Sequence, residues 1–179
     1  MLKKVMKIAI PAVIVIAIVF TLLHFLPFTK NMDIKMDGTV RNADGDLLSS
    51  CSINLDGKEY SYLLGNKADV LKGSMELTGD FETISSHTIH LSTTTLPEKN
   101  PDGSDNPFKN LVYRSGFRYD EKTNSSLTFC IFSTVDGSAH VVVDNGTIYC
   151  FSTLEEAKFL EVFERIKQFA VNDLTLNPA

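Results

Sequence analysis

Two histidines, His87 and His90, have the residue type and the spacing that could hold a metal ion. On a helix, residues three apart share one face, so both imidazoles could bind the same ion. The serines and threonines of residues 85–94 favour a strand instead. In a regular strand this spacing places the two rings on opposite faces. We therefore predict no metal site and no cofactor.

Three cysteines are the next candidates, and their odd number leaves at least one thiol outside any intramolecular disulfide. Two predicted hairpin turns, at 136–137 and 145–146, place Cys130 and Cys150 on one face but two strands apart. Their Cα atoms would be about 12 Å apart, whereas a disulfide allows about 7 Å. We predict three buried thiols, with a disulfide through Cys51 as the open alternative. No histidine or basic residue lies near them in sequence, so a catalytic thiol is not expected.

Other motifs of catalytic or metal-binding proteins are missing from the sequence. The acidic runs at 42–46 and 102–106 lack the ligand spacing of an EF-hand loop, and we interpret them as turns. The chain has no G-x-S-x-G, H-E-x-x-H, P-loop or dinucleotide-binding pattern. We therefore predict no catalytic residues and favour a non-enzymatic binding or interaction module. The alternative is an extracytoplasmic hydrolase that uses dispersed carboxylates or a metal.

The charges divide the chain into two parts. Its 179 residues include 17 lysines and arginines and 22 aspartates and glutamates, for a net charge of −5. Residues 1–29 hold three of the lysines and no acid, so residues 30–179 have 14 basic and 22 acidic side chains and a net charge of −8. An acidic domain does not favour polyanions, and we predict no nucleic-acid partner.

The apolar residues are concentrated near the N-terminus. Residues 8–26 form a run of 19 without a charge, and a helix of that length covers about 28 Å, close to the ~30 Å core of a bilayer. We predict a single-pass transmembrane anchor at 8–28, with the lipid bilayer as a partner. The lysines before it place residues 1–7 in the cytoplasm and the rest outside the cell membrane, where an envelope protein is a possible partner. A cleaved signal peptide is the alternative, but no Ala-x-Ala pattern follows the run.

The remaining sequence has the pattern of a β-rich domain. After a stalk at 29–37, residues 38–172 show short alternating runs separated by turn residues, which predicts an antiparallel sheet of about seven to nine strands. Asp56-Gly57 is predicted to form a two-residue hairpin turn. Residues 96–110 contain three prolines and no apolar period, which predicts a long surface loop.

One of these runs, residues 111–119, has a two-sided pattern. Its leucine and aromatic residues lie on one face, and Arg114 and Arg118 lie on the other. Such an alternation is typical of a strand with one apolar and one polar side.

Residues 154–171 predict an amphipathic helix that begins with a capping box formed by Thr153 and Glu156. Its apolar side would cover one face of the sheet, and residues 173–179 form a tail. The apolar arc is wider than a core-facing helix needs, so part of it is a possible partner-binding surface. The residues predicted for that surface are Phe159, Phe163, Ile166 and Phe169. The predicted fold class is α+β, with an N-terminal transmembrane helix followed by an antiparallel meander under one C-terminal helix.

Overall fold

The structure is a computed structural model that describes residues 2–42, 44–62, 68–96, 98–99, 103–106, 108–120, 122–144 and 146–173. The side chains of residues 2–10, 23–24 and 169–173 are outside this description. The elements in chain order are α1 (Leu2–Phe25), β1 (Phe28–Arg41), β2 (Leu47–Ser61), β3 (Asp69–Gly79), β4 (Ile84–Thr95), β5 (Leu111–Asp120), β6 (Ser125–Thr134), β7 (Ala139–Asp144), β8 (Thr147–Ser152) and α2 (Glu156–Asp173).

The eight strands form a closed barrel. Each strand pairs antiparallel with the next one along the chain, and β1 also pairs with β8. The predicted α+β class is therefore wrong. An open sheet would leave the edges of its first and last strands unpaired, whereas closure gives those two strands each other as partners. Residues 29–37, predicted as a stalk, lie within β1.

Alternate side chains of the strands fill the barrel. Near its middle, Leu55, Leu91 and Ile131 have no exposed surface. The interior cluster comprises Ile34, Val40, Cys51, Ile53, Leu55, Leu71, Met75, Leu77, Ile89, Leu91, Phe129, Ile131, Val142, Tyr149 and Phe151. The barrel therefore encloses a packed core, as expected for eight strands, and its middle leaves no room for a large ligand.

The outer wall of the barrel is apolar as well over β6, β7 and β8. Helix α2 packs on this wall and forms one cluster with it: Leu111, Cys130, Phe132, Ala139, Val141, Val143, Ile148, Cys150, Phe159, Phe163 and Ile166. Leu96 and Phe108, from the long loop 96–110, pack against the same cluster. Arg165 of α2 also donates a hydrogen bond to the carbonyl oxygen of Lys109, at 2.7 Å. The loop and the helix together cover the outer wall.

Asp56 and Gly57 lie in the middle of β2, so the hairpin turn predicted there is wrong. Gly57 is directly opposite Gly73 of β3. A Cβ atom on Gly73 would lie 2.1 Å from the carbonyl oxygen of Asp56 and 2.6 Å from the Cα atom of Gly57. The two glycines therefore allow a close approach of two backbones within the barrel wall. Gly57 serves this approach and does not reverse the chain.

The N-terminal helix does not confirm the predicted anchor. Among the described residues, no helix combines the length and the apolar character needed to cross a membrane. The prediction of a single-pass transmembrane or signal anchor at 8–28 is corrected accordingly.

The capping box predicted for α2 is also wrong. The carboxylate of Glu156, the first helical residue, accepts a hydrogen bond from Arg41 Nη2 at 2.5 Å. The hydroxyl of Thr153 donates to the carbonyl oxygen of Ser138 at 3.3 Å. Arg41 also donates to the carbonyl oxygen of Gly45 at 2.9 Å, so one arginine links the helix start to the turn after β1.

Candidate functional site

The barrel has a polar opening at one end, where β1 extends beyond the end of β8. The two strands pair only from Gly38 to Arg41 of β1, although β1 begins at Phe28. A cavity of about 270 Å³, which we name the mouth cavity, lies between the part of β1 that extends beyond β8 and the ends of β5, β6 and β7. Its lining residues are Lys30, Asn31, Met32, Asp33, Ile34, Glu59, Val112, Arg114, Ser133, Thr134, Val135, Asp136, Gly137 and His140.

A buried ion pair forms one wall of the mouth cavity. Arg114 donates from Nε and Nη2 to Glu59 Oε1, at 3.2 and 3.0 Å, and from Nη2 to Oε2 at 3.3 Å. The side chains are 7% and 14% exposed. Thr93 donates a further hydrogen bond to Glu59 Oε1 at 2.9 Å. Side chains from β4 and β5 thus hold this β2 carboxylate in one orientation through charge-assisted hydrogen bonds.

A serine–histidine pair extends this network. Ser133 and His140 are directly opposite each other on β6 and β7, and Ser133 Oγ lies 2.8 Å from His140 Nδ1. Arg114 Nη1 donates to Ser133 Oγ at 3.4 Å. Because the serine oxygen accepts from the guanidinium, its hydrogen is available for Nδ1, and the proton of the neutral imidazole is then assigned to Nε2.

The environment of His140 keeps its imidazole neutral. The side chain is buried, and burial lowers its pKa to about 4, with the positive charge of Arg114 contributing in the same direction. At neutral pH the ring is therefore a fixed hydrogen-bonding group rather than a cation.

We expect acid to destabilise the fold through His140. The unfolded-state pKa of a histidine is about 6.5, so the unfolded chain takes up the proton before the folded chain does. The stabilisation is complete above that pH and is lost as the pH falls towards 4. The loss is on the order of 3 kcal/mol.

Urea denaturation of the wild type and of His140→Gln, at pH 7 and pH 4.5, measures this contribution. Far-UV circular dichroism is the appropriate probe because the chain has no tryptophan. The wild type should lose about 2 kcal/mol more than the variant between the two pH values. Equal losses in both proteins would contradict the assignment to His140.

A second ion pair is buried towards the opposite end of the barrel, near the ends of β5 and β7. Arg118 donates from Nε to Asp144 Oδ1 at 3.1 Å and from Nη2 to Oδ2 at 2.8 Å. The side chains are 6% and 3% exposed. The carboxylate of Glu59 is thus paired with Arg114, and the carboxylate of Asp144 is paired with Arg118. Neither carboxylate is therefore available as a free general acid or base without breaking an ion pair.

His87 and His90 do not lie on opposite faces of β4, so that prediction is wrong. The register of β3 and β4 shifts between Gly73 and Met75, and the resulting β-bulge adds one residue to β4. Both histidines consequently line one cavity on the outer wall. Within the described part of the chain, no group of three or more histidine, cysteine, aspartate or glutamate side chains is placed to hold a metal ion.

The residues predicted as a partner-binding surface have an internal role in the structure. Phe159, Phe163 and Ile166 are 3%, 1% and 3% exposed and pack against the outer wall. The side chain of Phe169 lies outside the described residues. In this arrangement the three described side chains attach α2 to the barrel.

The three cysteines are free and buried. The register confirms the predicted hairpins, because Cys130 is opposite Val143 and Cys150 is opposite Val141. Burial raises the thiol pKa to about 11 at Cys51 and to about 12 at Cys130 and Cys150. The thiols are therefore protonated and weakly nucleophilic at neutral pH.

The sequence did not point to Arg114, Arg118 or Glu59 as site residues. Its two-sided pattern grouped the arginines correctly, but they face the barrel interior, while Leu111 belongs to the outer cluster. Gly116 could have indicated that this face is the inner one, because it lies between the two arginines on the same face. A glycine inside a strand often marks a close approach of another backbone.

The fold and site therefore define an eight-stranded antiparallel β-barrel with a packed middle and a polar mouth. Comparison of the chain with protein-family models, with curated proteins and with solved structures gives no match.

Proposed function

We propose that this chain is a non-enzymatic binding protein and that the mouth cavity takes a small zwitterionic ligand about the size of an amino acid. The observation that carries the proposal is the contrast between the two parts of the interior. The middle is packed with apolar side chains, whereas the mouth holds a hydrogen-bonded polar network that faces a cavity. Ligand sites commonly combine such a rigid surround with a few fixed polar groups.

The volume of the cavity limits the ligand. Drug-sized molecules occupy pockets of about 300–1,000 Å³, and the mouth cavity is slightly smaller at about 270 Å³. Leu55, Leu91 and Ile131 close the interior beneath it. A long apolar ligand cannot enter, and a small polar one fits.

Charges of both signs line the cavity. Lys30 lies on β1, and Asp136 lies on the turn between β6 and β7. Hydrogen bonds from Thr134 and Ser138 lower the pKa of Asp136 to about 2, so its carboxylate is ionised at neutral pH. A ligand with an ammonium and a carboxylate group can pair with both residues, and the imidazole of His140 adds a neutral polar contact.

Nuclear magnetic resonance titration of the ¹⁵N-labelled full chain tests this function. The probes are free L-amino acids and, as matched compounds with one charge removed, their N-acetyl and amide derivatives. We expect shifts of the Ser133, Gly137 and His140 amides with the zwitterions, and weaker shifts with both derivatives. Lys30→Gln should weaken binding about tenfold because it removes a charge-assisted hydrogen bond.

Lys35→Gln is the matched control, since the odd-numbered position places this exposed lysine on the outer side of the same strand. It should leave the affinity unchanged. The proposal fails if none of the amino acids shifts the cavity amides at 10 mM, on the order of the weakest affinity worth assigning, or if both variants weaken binding equally.

Three other predictions concern catalysis, location and partners. The hydrolase alternative has less support, because Glu59 and Asp144 are each held by an arginine. A location outside the cytoplasmic membrane and an envelope protein partner remain predictions from the sequence. The bilayer contact predicted for residues 8–28 depended on a spanning helix, and we do not propose it further.

A further inference from the structure

A second cavity, on the outer wall of β2, β3 and β4, gathers basic side chains. It has a volume of about 570 Å³, and we name it the outer groove. Its lining residues are Asp56, Gly57, Lys58, Tyr60, Lys72, Gly73, Ser74, His87, Thr88, Ile89 and His90. The groove is separate from the mouth cavity, since the two share no lining residue.

The β-bulge in β4 brings a second imidazole to the groove. Ser86 is opposite Met75, and Ile89 is opposite Gly73, so two residues, His87 and Thr88, span the distance that a single residue spans on β3. This extra residue brings the side chain of His87 to the same wall as His90. Bulges commonly redirect a side chain in this way near functional sites.

The register places like charges directly opposite each other. Lys58 is opposite Lys72, and Lys72 is opposite His90, so three basic side chains form a row across three strands. Neither lysine forms an ion pair with a described residue. Lys72 Nζ lies 5.8 Å from the centre of the Tyr60 ring, and the ring of His90 packs against Phe117 at 5.6 Å.

Such a row is unfavourable for the empty protein. Directly opposed side chains in an antiparallel pair have Cβ atoms about 5 Å apart, and like charges at that distance repel. The chain has 22 acidic residues and a net charge of −5, so its composition does not favour a basic cluster. Asp56 is the only acidic residue that lines the groove among the described residues. A bound anion would relieve the repulsion.

We propose that the outer groove binds a small molecule carrying a multiply charged phosphate group, with Lys58 and Lys72 as its charged contacts and the imidazole of His90 as a further polar contact. The hydroxyl groups of Ser74 and Thr88 also line the groove and supply neutral donors. Ammonium groups attract a phosphate as point charges and tolerate several orientations of it. The two binding sites are independent, so failure of one does not affect the other.

Isothermal titration of the full chain with inorganic pyrophosphate, at pH 7 and constant ionic strength, tests this site. We expect Lys58→Gln and Lys72→Gln each to weaken pyrophosphate binding about tenfold. Lys35 is an exposed lysine on β1 outside the groove, and Lys35→Gln should bind pyrophosphate as the wild type does. Absence of pyrophosphate binding, or equal weakening by all three substitutions, would overturn the proposal.

The melting temperature of the ligand-free protein provides a second readout that does not depend on the probe. Lys58→Gln removes a like charge from the row without removing a described ion pair, so Tm should rise by roughly 1–3 °C. Lys35→Gln should produce no rise. An unchanged or lower Tm for Lys58→Gln would show that the row carries no repulsion and would remove the physical basis of the site.

Discussion

Replacing Gly73 with valine should destabilise the barrel by about 3 kcal/mol or more. The new Cβ would lie 2.1 Å from the carbonyl oxygen of Asp56 and 2.6 Å from the Cα atom of Gly57. Both obstructing atoms belong to the backbone, so no rotamer change can relieve the overlap. The strands β2 and β3 would have to separate, with loss of pairing and packing at Leu55 and Leu71. Urea denaturation followed by far-UV circular dichroism measures the effect.

Ser74→Val is the matched control for this substitution. Position 74 is the next residue of the same strand, and its side chain is half-buried on the outer wall. A β-branched residue suits a strand, and the free energy of unfolding should change by less than about 1 kcal/mol. If Gly73→Val were as mild as Ser74→Val, the close approach of the two backbones would not be a requirement of the fold.

The second large effect concerns the ion pair inside the barrel. Arg118→Met should cost about 3–5 kcal/mol, because it leaves the carboxylate of Asp144 buried without its partner. The side chain of Asp144 is only 3% exposed, so water cannot replace the two hydrogen bonds that the guanidinium donates. The same denaturation experiment measures this loss.

The double variant Arg118→Met with Asp144→Leu separates the charge effect from packing. Removing both charges eliminates the unpaired ion, so most of the lost stability should return. Lys122→Met is the control, because its ion pair with Glu82 is exposed at 63% and 83%. That substitution should cost less than about 1 kcal/mol. A double variant no more stable than Arg118→Met alone would show that the arginine acts through its shape rather than its charge.

The C-terminal half of the chain was the most predictable from sequence. The turn residues at 136–137 and 145–146 fix two tight hairpins, and the register of β6, β7 and β8 follows from them. Gly137 and Gly146 have φ values of 73° and 79°, in the left-handed region that glycine adopts without strain. These are local properties, and local sequence is sufficient to specify them.

Asp56-Gly57 shows where the same reasoning fails. Its sequence is as suitable for a turn as Asp136-Gly137, yet it lies inside a 15-residue strand. The difference is the partner at Gly73, which lies sixteen residues farther along the chain and makes a continuous strand possible. A dipeptide does not contain that information.

The candidate site was missed for a related reason. Alternation in a strand shows which side chains share a face, but it does not show which face is inside. The outer wall of β5 and β6 is apolar because α2, Leu96 and Phe108 cover it, while the inner face accepts Arg114 and Arg118 because Glu59 and Asp144 neutralise them. The arginines and their partners are far apart in sequence.

The alternating strands, the two C-terminal hairpins and the amphipathic helix follow from local sequence, since each depends on residues within a few positions of one another. The closure of β1 on β8, the arginine-lined interior and the bulge that brings His87 and His90 to one groove follow from contacts between distant segments. Each of these depends on strand register between distant segments. Register is set by the packing of the whole barrel, and no local pattern of residues contains it.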